Sequence, residues 1–136
     1  MSPLNSDARP QQAARDRFAP SRVLIGSLYV VVAAVLTQAI LAGLFISATA
    51  EARLAHLVVG SLLPWFGVIP AVSAFRGRRN LDQRVVTGAI LLPVALWVQG
   101  AIGHLRFAVS TAVHVPLGVA IFASSVVLAL AAGRIR

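Results

Sequence analysis

His56 and His114 stand in matching surroundings. Gln38-Ala39-Ile40-Leu41-Ala42 is followed by His56 and Gly60, and Gln99-Gly100-Ala101-Ile102-Gly103 is followed by His114 and Gly118. An imidazole can ligate a metal, carry a proton or hold a hydrogen bond, and a matched pair can share one metal between two helices. Other chemistry is closed to this chain. It has no cysteine, which excludes disulfides, thiolate metal sites and cysteine nucleophiles. All 12 of its basic residues are arginine, so Schiff-base chemistry on lysine is absent too. That arginine bias is also the composition of a GC-rich bacterial genome.

The elements that must position the histidines follow from hydropathy. Hydrophobic residues make up 58% of the chain, charged residues 12%, and the mean hydropathy is +0.84, the composition of a lipid-embedded protein. Residues 23–50, 54–75, 85–105 and 107–133 lack Asp, Glu, Lys and Arg. Each exceeds the roughly 20 residues a helix needs to cross about 30 Å of hydrocarbon. The pattern predicts four transmembrane helices, at about 23–47, 54–75, 85–105 and 109–133, with no alternation of the kind barrel strands show. The transmembrane domain spans 23–136. Residues 1–22, rich in Ser, Asp, Gln, Ala, Pro and Arg, read as a disordered basic tail. Ala48-Thr49-Ala50 imitates a signal-peptide cleavage site, but the preceding apolar stretch is about twice the usual length.

Arginine placement sets the expected orientation. Ten arginines fall in the N-terminal tail, the link between helices two and three, and the C-terminus; only Arg53 and Arg106 occupy the other links. The positive-inside rule then places both termini in the cytoplasm of a bacterial cell. Basic residues split among membrane-flanking segments suit anionic lipid headgroups, and no nucleic-acid-binding pattern accompanies them.

Short outer links make sequential helices antiparallel neighbours. The expected architecture is an all-α antiparallel four-helix bundle built from two repeated helical hairpins, with helices two and four on the diagonal. Gly60, Gly67 and Ala71 follow His56 at the same spacings as Gly118, Ser125 and Ala129 follow His114, each set on one helical face. Such small stripes allow close helix packing or the clearance a flat ligand needs. Pro64, Pro70, Pro93 and Pro116 each remove a backbone donor, and Pro116 suits either a kink or the first turn of helix four.

His56 and His114 come at similar depth near the outer end. With neighbouring axes roughly 8–10 Å apart the diagonal is roughly 11–14 Å, a gap two imidazoles bridge with one iron between them. The residues therefore point to one b-type haem, haem b, with His56 and His114 as ligands. Gly60 and Gly118 would let a macrocycle edge approach the backbone, Arg53 and Arg106 would meet propionates, and Gln38 and Gln99 would orient the imidazoles. Two axial histidines leave no open iron position, so the implied role is one-electron transfer or haem handling. His104, at the outer end of helix three, reads as an interfacial residue. Four turns further along from the paired histidines stand Pro70 and Leu128, so there is room for one haem only.

A Gln on the odd helix, a short acidic outer link and His-x-x-x-Gly on the even helix, twice over, resembles one four-helix half of haem A synthase, the membrane enzyme that oxidises a haem methyl group. It is also similar to a group of small four-helix bacterial membrane proteins carrying the same repeated motif. The resemblance spans about residues 30–130. It implies that His56 and His114 are axial haem ligands and that Glu51 matches the family's outer-loop acid. Haem A synthase has two such halves and this chain has one, so hydroxylase activity is not implied.

A cofactor-free packing or assembly protein, or an accessory subunit, is the alternative, with the histidines hydrogen-bonding across the bundle. In either reading the partners are membrane lipids and a redox or assembly protein in the membrane. A proton-coupled transporter would need a carboxylate within the bilayer, yet Asp7, Asp16, Glu51 and Asp82 fall in tails or links. A hydrolase is disfavoured because Ser61 and Ser125 lack a histidine and acid at their depth. A metal site of His56, His114 and Glu51 would need water as a fourth ligand.

Overall fold

The computed structural model describes residues 22–47, 49–105 and 108–134. They form four helices: α1 (Arg22–Ile46), α2 (Ala50–Arg76), α3 (Gln83–His104) and α4 (Ala108–Arg134). Each is long and apolar enough to cross a membrane, and the chain is a multi-pass, all-α four-helix bundle. Residues 1–21 of the expected tail lie outside the described residues, as does Arg106.

Every helix packs on its predecessor, and α1 closes the ring against α4. The diagonal pairs α1/α3 and α2/α4 make no backbone approach. The helix starts differ from the hydropathy boundaries where polar residues can serve a helix end. Glu51 and Arg53, expected in the outer link, lie in the first turn of α2, where the Glu51 carboxylate meets the positive end of the helix dipole. Asp82 caps α3, its Oδ1 accepting from the Arg84 N–H at 2.7 Å. Pro64, Pro70, Pro93 and Pro116 all lie inside helices, which places Pro116 well past the start of α4.

The contiguous core lies in one half of the bundle, while Ala52 is buried at the opposite end, in the first turn of α2. Leu24, Leu28, Val31 and Val35 are buried in the first half of α1, and Leu63, Gly67, Pro70 and Ala74 in the second half of α2. Val85, Ala89, Leu92 and Leu96 of α3 meet Ile121, Ser125, Ala129 and Ala132 of α4 at the same level. Antiparallel alternation makes all of these the end that carries the chain termini. The small residues on the stripes after His56 and His114 thus face inward, and Ser125 meets its own need by donating to the Ile121 carbonyl at 2.7 Å.

Gly67 shows how close that packing is. A Cβ there would stand 2.9 Å from Leu96 Cδ1 and 3.1 Å from the Pro93 backbone. A Cβ at Gly26 would meet nothing within 4 Å. Gly67→Ala should therefore separate α2 from α3 and cost about 1–3 kcal/mol, read as a lowered unfolding temperature in detergent. Gly26→Ala should leave that temperature unchanged or raise it, through about 0.5–1 kcal/mol of helix propensity.

Candidate functional site

The half of the bundle bearing the α1–α2 and α3–α4 links is hollow. Its cavity of about 400 Å³ is lined from all four helices and takes in both paired histidines. Its size falls within the range of small-molecule sites, roughly 300–1,000 Å³.

Each histidine is fixed by the same device. Gln38 Nε2 donates to the His56 carbonyl at 2.9 Å, and His56 Nδ1 lies 3.1 Å from the Gln38 carbonyl. Gln99 and His114 repeat the arrangement with the same atoms and distances, 2.9 and 3.1 Å. A backbone carbonyl can only accept, so Nδ1 is the protonated nitrogen in both rings. Neither Nε2 has a hydrogen-bond partner among the described residues, and in the neutral ring it carries the lone pair. Metal-ligating histidines take this form, with one ring N–H donated to a carbonyl and the other nitrogen left to the metal.

The rings of His56 and His114 approach each other across the diagonal, with centroids 6.5 Å apart and planes inclined by 67°. Nitrogen–metal bonds of about 2.0–2.1 Å, with about 1.1 Å from nitrogen to ring centre, put two rings sharing one metal about 6.3 Å apart. Phe45 supports the His56 ring edge-on at 5.3 Å. The His114 ring rests on Gly103, where a Cβ would come within 2.7 Å of Cε1.

The other sequence-predicted site residues separate into two groups. Gly60 and Gly118 line the cavity, but their missing side chains make room for the glutamines: a Cβ would stand 2.5 Å from Gln38 Nε2 and 3.0 Å from Gln99 Nε2. The clearance expected there lies instead on α1 and α3, where Gly43 and Gly100 line the cavity with nothing within 4 Å of a Cβ. The glutamines reach the histidines' backbone carbonyls, and their own carbonyls, not their side chains, meet the rings. Arg53 is exposed and does not line the cavity. Among the described residues no third His, Cys, Asp or Glu joins the pair in a metal-binding group, so Glu51 does not complete one.

Gly103 and His104 line the cavity although the sequence alone does not place them in the site. Gly103 stands in the quoted Gln99-Gly100-Ala101-Ile102-Gly103 run, but only the packed structure shows a ring lying on it. His104 lines the cavity at the link end, with Nδ1 2.7 Å from the Gly100 carbonyl.

Nitrogen NMR of histidine-labelled protein should show His56 and His114 protonated at Nδ1 and bare at Nε2, opposite to the tautomer favoured in water. Gly103→Val should shift the His114 resonances and leave those of His56 in place; equal shifts at both would contradict the packing.

No family model, curated protein or solved structure matches the chain.

Proposed function

We propose that this chain binds one b-type haem between α2 and α4, with His56 and His114 as axial ligands, and serves in electron transfer or haem handling in a bacterial cytoplasmic membrane. The observation that carries the reading is the 6.5 Å separation of two rings whose Nδ1 atoms are both tied to backbone carbonyls. A haem held this way supplies a reversible one-electron couple without an open iron position. The protein's part is to hold both rings in the ligating tautomer, keep water from an apolar cavity and leave room at Gly43 and Gly100.

The internal match supports the reading. Val35, Ala39 and Ala42 stand at the same steps from Gln38 as Leu96, Gly100 and Gly103 stand from Gln99, and all six line the cavity. Two copies of one hairpin, each contributing a ligand, account for this. The arginine distribution favours cytoplasmic termini, which puts the haem near the outer face.

A cofactor-free packing role has one observation in its favour: the two Gln–His exchanges tie each hairpin without any ligand. The same exchanges leave Gln38 Oε1 and Gln99 Oε1 buried without hydrogen-bond partners among the described residues. Each such orphan costs about 1–3 kcal/mol, which is a poor trade if tying the hairpins is the whole purpose.

The test is a dithionite-reduced minus air-oxidised spectrum of the detergent-purified protein, made in cells supplied with a haem precursor. A sharp reduced α band at near-stoichiometric haem is expected. His56→Ala and His114→Ala should each abolish it, while His104→Ala keeps it. A featureless spectrum from helical wild-type protein would favour the packing role.

A further inference from the structure

Among the described residues the cavity lining is largely paired between the two hairpins, and the departures from pairing among them point one way. At equal steps after Gln38 and Gln99 stand Gly43 and His104, both lining the cavity. One side is open space and the other an imidazole. Leu36, Val119 and Phe122 also line the cavity, yet their counterparts Trp97, Ser61 and Pro64 do not. These extra residues belong to α1 and α4, so the cavity extends between those helices. Leu36 and Val119 are 48% and 64% exposed, which carries the opening to the surface the bilayer covers.

On the opposite flank, between α2 and α3, no residue beyond the paired set lines the cavity among the described residues. Trp65 and Trp97 meet edge to face there with centroids 5.5 Å apart. Their counterparts on the open flank are Ala123 and Leu36. His104 stands two turns on from Trp97 on the same face of α3, at the link end one turn beyond Gly100, and is exposed.

We infer that the cavity takes an amphipathic ligand in a single orientation, with an anionic, carboxylate-bearing edge at His104 and an apolar edge toward the α1–α4 opening. His104 is the residue that reads the charged edge. With Nδ1–H committed to the Gly100 carbonyl, only Nε2 is left to meet the ligand, and an imidazolium donates from both nitrogens at once. A charge-assisted hydrogen bond from Nε2 to a carboxylate holds that edge at the level of the helix ends, where water and headgroups accept charge. No other ionisable side chain besides the two proposed ligands lines the cavity among the described residues. The open flank offers only hydrocarbon, which suits an uncharged edge and penalises a carboxylate. The inference rests on the haem reading, in which the carboxylates are the propionates.

The experiment compares iron protoporphyrin IX with its dimethyl ester, titrated into the full-length apo-protein in detergent. Wild type should prefer the free acid by about tenfold, the effect of about 1.4 kcal/mol. His104→Leu should bind both forms within twofold of each other, and His104→Arg should restore the preference. Should His104→Leu fail to show the wild-type helical circular dichroism, His104→Gln is read in its place, with a preference below threefold expected. Full preference in the leucine variant, or in the glutamine variant where that one is read, overturns the role of His104 and leaves the axial assignment standing. Equal binding of the two forms by wild type does the same. Failure of wild type to bind either form overturns the haem reading and this inference with it.

Discussion

A polar group carried into hydrocarbon has no water to fall back on, so it must be met from within the protein. In this bundle an exchange between glutamine and histidine on adjacent helices meets that constraint for every group it involves except the two glutamine Oε1 atoms. Each glutamine amide crosses to a histidine carbonyl, and each imidazole crosses back to the glutamine carbonyl. The exchange fixes the register of α1 on α2 and of α3 on α4. It also fixes the tautomer, and with it which nitrogen is left without a protein partner among the described residues. Gly60 and Gly118 are required by it, because the amide occupies the volume a side chain would fill. Remove the exchange and the two rings lose the hydrogen bonds that hold them 6.5 Å apart across a gap that the helices themselves do not bridge.

The packed half and the hollow half divide the work. Close approaches such as Gly67 on Pro93 hold the helices together near the termini, where van der Waals contact is the main source of association between helices in lipid. The link half has given up that contact to make a cavity, which costs stability and leaves two buried amide oxygens unpaired. A ligand that binds only the folded bundle returns stability by mass action. A cavity of this kind is thus more than a packing defect: its polar groups are placed by name and in pairs, whereas a defect would leave the placement to chance.

Much of this could be read from the residues in order. Hydropathy runs gave four helices because lipid imposes a length and an apolar composition that nothing else in the chain imitates. The small-residue stripes after the histidines faced inward as spacing required, and the repeated Gln and His fell on one cavity. Other features were beyond a linear reading. Helix starts at Ala50 and Gln83 depend on capping and dipole effects at polar residues, which a hydropathy run stops short of. That glycine clearance at positions 60 and 118 goes to glutamine, while Gly43 and Gly100 face open space, depends on side-chain directions across helices. His104 reads as an interfacial residue from its place at the outer end of helix three, and it is exposed there; that it also lines the cavity shows only in the packed structure.

That mismatch carries a general consequence for paired sites. A cavity lined by two equivalent hairpins presents the same surface to a ligand turned by half a rotation, so a ligand with unlike edges would bind in two orientations of similar free energy. Apolar contacts discriminate weakly between them, since both edges meet aliphatic walls. One hydrogen-bonding imidazole on one side would change the balance, because it offers the anionic edge a partner and leaves the reversed pose with an unpaired carboxylate against hydrocarbon. Each 1.4 kcal/mol of difference is about tenfold in population, so a single broken pair at the water-facing end suffices to choose one pose. If each hairpin contributes one ligand at matched depth, the departure from pairing at Gly43 and His104 is what would give the site its direction.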